Sequence, residues 1–244
     1  MGGTAVPPLK FLIIFGDHMK IGILQTGHAP EELQPTSGEY DAMFRRLLDG
    51  QGFTFETFFV VDGEFPAGID AADGWLITGS KHGAYEDHAW IPPLEDLIRA
   101  IHAAKKPLVG ICFGHQIIAQ ALGGKVVKYD GGWSVGHTEY MLDGAPVSLN
   151  AWHQDQVVDL PPEACVVGES DFCKHAFLAY GDHIWTSQPH PEFSSDFVEG
   201  LLNTRGKGVL PEDQLQAVAA NLNAPNDSSR IAQSIADFFK KVRT

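Results

Sequence analysis

The sequence predicts an α/β domain: a mostly parallel, doubly wound sheet with helices on both faces and a small antiparallel extension. Three observations predict it. Short apolar runs ending in glycine alternate with stretches of helical periodicity through the first half of the chain, the pattern of successive βαβ units. Those runs are continuous rather than alternating, as strands covered on both faces must be. A chain of 244 residues with 44% hydrophobic content can bury a core of that size.

The elements follow in order. Residues 21–24 are an apolar run that ends in Thr26 and Gly27, a buried strand. From Gly38 the pattern changes: Tyr40, Met43, Phe44, Leu47 and Leu48 fall on one helical face, which Gly50 ends. "FTFETFFVV" (53–61) is aromatic and β-branched, hence strand, and "GWLITGS" (74–80) is a further buried strand running into glycine. Residues 94–104 form a helix with Leu94, Leu97, Ile98 and Ile101 on one face, and Lys105 and Lys106 complement its C-terminal dipole. "PLVGIC" is then a strand and "GHQIIAQALGG" a helix stopped by its glycine pair. Between 125 and 188 the texture shifts to short strands with turns such as "DGGW", "LDGAP" and "YGDH", an antiparallel or mixed insertion beside the main sheet. A last helix carries Ile231, Ile235, Phe238, Phe239 and Val242 on one face behind an Asp227 or Ser228 cap.

Repeats, low-complexity tracts and interdomain linkers are all missing from this pattern, so residues 19–244 read as a single domain. Residues 1–18 precede a second methionine, Met19, and read as an N-terminal extension rather than an edge strand. Their apolar segment, 11–15, is too short for a signal peptide.

Charge and composition narrow the function. The formal charge is −14 and no tract is rich in Lys or Arg, so neither nucleic acid nor an anionic membrane surface is expected as a partner. No window approaches the ~18 apolar residues of a membrane span. Cys112, Cys165 and Cys173 cannot all pair, and their spacing matches no zinc pattern, so no metal is expected and a reducing cytoplasm is the simplest compartment.

The stretch "GICFGHQ" (110–116) places Cys112 between a strand and a helix, with Gly110 and Gly114 on either side. A sharp strand-to-helix turn pushes its apex residue outward, and small neighbours relieve the crowding. A thiol at a helix N-terminus meets the dipole and free N–H groups that favour a thiolate, and the next N–H, that of Phe113, points where an oxyanion would form. Such a nucleophile needs a base with an orienting acceptor. In "SQPHPEF" (187–193) the proline holds the chain extended, so His190 and Glu192, two apart, project to the same side.

"GICFGHQIIAQALGGKV" and "SQPHPEF" together resemble the class I glutamine amidotransferases, a family with a flavodoxin-like α/β domain and a Cys-His-Glu triad, of which the glutaminase domain of GMP synthetase is a member. The resemblance covers nearly all of residues 20–200: "LITGSKHGAYED" is similar to the family's oxyanion loop, and "GGWSVGHTE" and "WHQDQVVDLPP" to its pocket-flanking segments. It implies that Cys112 is the nucleophile, His190 the base and Glu192 its orienter. It further implies that Gln116 contacts the substrate, and that a backbone N–H at Gly79 or Ser80 joins that of Phe113 in the oxyanion hole. Pro189 departs from the family, which usually has another residue there, and removes a backbone donor beside His190.

Other polar residues read as bystanders. His115 adjoins the nucleophile but points about 100° away on the helix. His153 and Asp155 lack the further partners of a metal site and fit a loop beside the pocket. Cys165 reads as a buried inert thiol and Cys173 as a surface one, while Trp133 and Trp152 serve either core or substrate.

The resemblance implies attack of the Cys112 thiolate on a γ-glutamyl carbonyl, with His190 protonating the leaving amine and water cleaving the thioester. This chemistry uses no cofactor. The chain carries no synthetase-like segment, and its layout is similar to the stand-alone members, among them cytosolic γ-glutamyl peptidases. A hydrolase acting alone on small γ-glutamyl compounds is therefore the first expectation. A glutaminase subunit delivering ammonia to a synthetase partner is the alternative. A non-catalytic binding module is disfavoured by the intact triad residues.

Overall fold

In the computed structural model, which describes residues 18–242, strand and helix alternate through the first half of the chain. The elements are β1 (Met19–Leu24), α1 (Gln34–Ser37), α2 (Tyr40–Leu47), β2 (Phe53–Phe58), β3 (Gly74–Ile77), α3 (Ile91–Ala103), β4 (Leu108–Ile111) and α4 (Phe113–Ala121). Seven strands follow: β5 (Lys125–Lys128), β6 (Ser134–Leu142), β7 (Ala145–His153), β8 (Asp155–Asp159), β9 (Ala164–Glu169), β10 (Phe177–Tyr180) and β11 (Ile184–Ser187). The chain closes with α5 (Ser195–Leu201), a π-helical turn (Leu202–Gly206), α6 (Glu212–Asn221) and α7 (Ser228–Val242). The expected extension lies, apart from His18, outside the described residues.

Nine strands share one sheet in the order β2-β1-β3-β4-β11-β10-β9-β6-β7. The pairings from β2 to β11 are parallel, and those from β11 to β7 antiparallel. Successive residues of the central strands face opposite layers. Trp75, Ile77 and Leu108 pack under α3 and α4 with Leu94, Ile98, Phe113 and Ile117. Ile21, Leu76, Val109 and Ile111 pack on the other side with Phe44 of α2 and Ile231, Ile235 and Phe239 of α7. This double coverage explains why the strands lack alternation in sequence.

Several expectations change in detail. Helix α3 begins at Ile91, with proline in its first turn, where a missing N–H costs nothing. Strand β2 stops at Phe58, and Val60–Asp62 form a 3-10 turn. Lys106 reaches away from the end of α3, to the Ala72 carbonyl at 3.1 Å and Asp70 at 2.9 Å. The antiparallel strands are not an insertion beside the sheet: β6, β7, β9 and β10 are hydrogen-bonded into it, and only β5 and β8 form a separate ribbon. The β6–β7 hairpin turns at Asp143 and Gly144, both with positive φ (50° and 77°), the pairing a two-residue turn demands. Cys165 is exposed on β9 and Cys173 is buried, the reverse of expectation. Strand β9 pairs with β6 at only two positions, which leaves its apolar residues partly open. Among the described residues no helix is long and apolar enough to cross a membrane.

Register sets up the site. Leu24 stands opposite Ile77, Ile77 opposite Gly110, and Ile111 opposite Ser187. The C-terminal ends of four parallel strands therefore form one edge, where ligands of open α/β sheets bind. Cys112 and Gln188 are the next residues beyond it.

Candidate active site

Cys112 occupies the turn between β4 and α4 with φ 53° and ψ −101°, a conformation a side chain adopts only under constraint. The constraints are visible. Its N–H donates to the Ser187 carbonyl (2.8 Å), and the Gly114 N–H donates to the Thr78 carbonyl (3.1 Å). A Cβ at Gly114 would lie 2.4 Å from the Ile77 carbonyl oxygen, and one at Gly110 would lie 2.6 Å from Gly114. Both glycines are thus required by close backbone approach, as the motif predicts.

His190 and Glu192 arrive from the segment after β11. The His190 N–H donates to the Asn150 carbonyl (2.8 Å), and the Asn150 amide donates to the Phe193 carbonyl (2.9 Å). A residue of β7 thereby grips the segment on both sides of Glu192. The Phe193 ring stacks on His190 at 3.8 Å and 7°. The Pro189 carbonyl accepts from the Ser187 hydroxyl at 2.8 Å.

His190 Nδ1 lies 2.7 Å from Glu192 Oε1, with the two side chains 3% and 0% exposed. Against the carboxylate Nδ1 is the donor, and the ring stands close to Cys112: a Cβ at Gly79 would lie 3.1 Å from His190 Cε1 and 3.8 Å from Cys112 Cβ. Burial by itself pulls the His190 pKa down, but the Glu192 carboxylate and the Cys112 sulfur outweigh it and raise the value to about 10. The imidazolium is therefore favoured between these two groups.

A chain of amides joins Cys112 to the far wall. Gln188 Nε2 donates to Cys112 Sγ (3.7 Å), and Gln116 Nε2 donates to Gln188 Oε1 (3.1 Å) and to the Asp155 carbonyl (2.9 Å). Gly79 packs so closely that a Cβ there would stand 3.1 Å from the His190 ring. Ser80 follows it in the cavity wall, and its hydroxyl accepts from the His82 N–H at 3.2 Å. Phe113 is fully buried at the start of α4. All seven residues of the expected site thus gather at one strand edge.

Gly79, Ser80, Cys112, Gln116 and His190 border a cavity of about 590 Å³, large enough for a small-molecule ligand; Glu192 and Phe113 stand behind its wall. Trp133 and Trp152 both line it, as do Lys81, Lys128, Arg205 and Lys207 against Glu86 and Asp155. Arg205 rides on the π-helical turn and donates to the His28 carbonyl at 3.4 Å; nearby, burial raises the Tyr40 hydroxyl to a pKa of about 12. His115 is buried, donating or accepting at Thr186 Oγ1 (2.8 Å), and burial pushes its pKa down to about 3. His153 is likewise buried, with a pKa near 3 from burial first and the His190 charge second. Neither approaches a metal-ligand set.

Sequence reasoning missed Gln188, Asn150, Tyr40 and Arg205. Gln188 sits inside a quoted motif, so proximity to His190 was the available signal. Asn150 and Arg205 are brought in by β7 and by the π-helical turn, and no local pattern marks them.

Cys112, His190 and Glu192 thus come together at the C-terminal edge of a mostly parallel α/β sheet. Residues 69–199 match the family "Glutamine amidotransferase class-I", and the chain belongs to that family of hydrolase-type enzymes. It is 33% identical over 228 residues to Gamma-glutamyl peptidase 4 of Arabidopsis thaliana, covering 86% of this chain and 91% of the relative. It is 33% identical over 173 residues to the glutamine-hydrolyzing GMP synthase subunit of Methanopyrus kandleri, covering 64% and 84%. The fold is shared with a glutamine amidotransferase from Methylobacillus flagellatus at a TM-score of 0.70 and 20% identity, over 92% of this chain and 95% of that one.

Proposed function

We propose that this protein hydrolyses the γ-glutamyl amide bond of glutamine or of γ-glutamyl compounds through a γ-glutamyl thioester on Cys112. The observation that carries the reading is the buried His190–Glu192 pair, 2.7 Å from Nδ1 to Oε1, standing against Gly79 beside Cys112. Cys112 attacks the carbonyl carbon, and the electron pair of the C=O moves to oxygen. The N–H of Phe113 suits that oxyanion: the neighbouring N–H groups of Gly114 and Gln116 are bonded to Thr78 and Cys112 carbonyls. Gly79 and Ser80 border the same space and offer the second donor. On collapse the C–N bond breaks, and His190 gives its proton to the leaving amine. Water, deprotonated by the now neutral His190, then cleaves the thioester, releasing the glutamate product and restoring the Cys112 thiolate with protonated His190.

Gln116 commits its amide nitrogen to Asp155 and Gln188, so its carbonyl oxygen is what it offers a substrate amine. Four cations in the cavity wall of an acidic protein suit the free carboxylate that γ-glutamyl compounds carry. The likeness to Gamma-glutamyl peptidase 4 spans more of the chain than the likeness to the GMP synthase relative, which favours action without a synthetase and, by analogy with the resemblance, in the cytoplasm.

The test is a steady-state assay of the purified chain alone with glutamine and a panel of γ-glutamyl peptides. A kcat within roughly 1–10³ s⁻¹ on the best substrate is expected. A chain inert on all of them that becomes active when a synthetase is added would make it a glutaminase subunit instead.

A further inference from the structure

The loop that leads from β3 to α3 folds back on itself at "KHGAYEDH" and brings together three donor side chains that the proposed hydrolysis does not use. His82 Nδ1 lies 3.4 Å from Glu86 Oε2, and His88 Nε2 lies 2.7 Å from the same oxygen. The ligating atoms of all three lie within 4.8 Å of one another. Ligands at 2.0–2.1 Å around a tetrahedral Zn²⁺ stand ~3.3 Å apart. From separations of at most 4.8 Å, the donor atoms need to draw together by no more than about 1.5 Å to close on an ion.

We propose that His82, Glu86 and His88 form a binding site for one divalent transition-metal ion in the wall of the cavity that holds Cys112. Two imidazoles and one carboxylate are the donor set of borderline ions such as Zn²⁺ and Co²⁺, and a poor set for Mg²⁺ or Ca²⁺, which take oxygen ligands. The rings are held in place. His88 stacks on Trp90 at 5.7 Å and 10°, and His82 packs edge-on against His88 at 4.2 Å. With side-chain exposures of 21%, 43% and 33% for His82, Glu86 and His88, an ion enters directly from solvent.

Asp155 faces the same loop at Gly83, where a Cβ would stand 3.2 Å from its carboxylate, and adds negative charge nearby. His82 and Glu86 line the cavity, so a three-ligand ion here retains a coordination position for water or a solute ligand.

Because Cys112 is itself a soft ligand, the test uses tag-free Cys112→Ser protein, titrated with Zn²⁺ by calorimetry and with Co²⁺ by visible absorption. Uptake of one equivalent with a Kd of about 10 µM or tighter, and appearance of Co²⁺ d–d bands, are expected. His88→Gln and Glu86→Gln in that background should each weaken binding at least about tenfold while circular dichroism and Tm stay as in the parent. His88 is outside the cavity lining and Glu86 is exposed, so at least one variant should keep the fold. Failure to bind Zn²⁺ below about 100 µM, a loss smaller than tenfold in a folded variant, or equal uptake of Mg²⁺ overturns the proposal. None of these readouts depends on hydrolytic activity.

Discussion

His190 and Glu192 meet at 2.7 Å, Nδ1 to Oε1, with neither side chain more than 3% exposed. Two residues of one short segment thus build an ion pair inside the protein, and Asn150 of a distant strand holds that segment in place. Its consequences reach both activity and stability.

The first concerns pH. The folded protein holds His190 near pKa 10, against 6.5 for a free histidine. The stabilisation from its charged form is complete below 6.5 and is lost as the pH rises through about 10. Activity that needs the imidazolium as acid should fall along the same alkaline limb. In Glu192→Gln the carboxylate that raises the value is gone, so the limb should move to lower pH. A pH–rate profile of both proteins checks this, and an unmoved limb would remove Glu192 from the account.

Substitution should sort the proposed roles. Cys112→Ala should lose turnover entirely with intact substrate binding. His190→Asn should lose about 10³-fold or more in kcat, and Glu192→Gln less, because it disturbs orientation rather than proton transfer. Single-turnover kinetics on each variant gives the comparison.

Backbone strain at the elbow predicts an unusual stability result. At φ 53° and ψ −101°, a Cβ is strained by about 1–3 kcal/mol, whereas glycine gains freedom in the unfolded chain worth up to about 1 kcal/mol. Cys112→Gly should therefore melt above Cys112→Ala by about 2–4 °C for a net gain near 1 kcal/mol. Calorimetric scans of the two inactive proteins measure it. A lower Tm for the glycine variant would show that the turn is not strained.

Alkylation should follow environment rather than exposure alone. Cys112 is 6% exposed but stands beside His190, while Cys165 is exposed. Burial raises the Cys173 thiol to a pKa of about 12. Iodoacetamide at neutral pH should label Cys112 first, Cys165 later and Cys173 last, as read by peptide mass mapping.

What the sequence by itself determined is what lies within a few residues of chain. The glycine at 110 marks the elbow because crowding there is local, visible as the 2.6 Å from a Cβ there to the backbone of Gly114, four residues on. Helical periodicity, also local, located α2, α3, α4 and α7. Reading "HPE" as extended did pair His190 with Glu192, but Pro191 and Glu192 form a turn, and it is that turn which brings the carboxylate to the ring. Tertiary structure alone decided which distant residues complete the site. Gln188 faces Cys112 because β11 pairs with β4 in one particular register, and Asn150 reaches His190 because β7 lies where that segment passes. It decided too that Cys173 is buried and Cys165 open, since burial depends on which strands cover a residue. Sequence patterns report the stiffness of the chain over short spans, whereas strand pairing is settled by packing summed over the whole sheet.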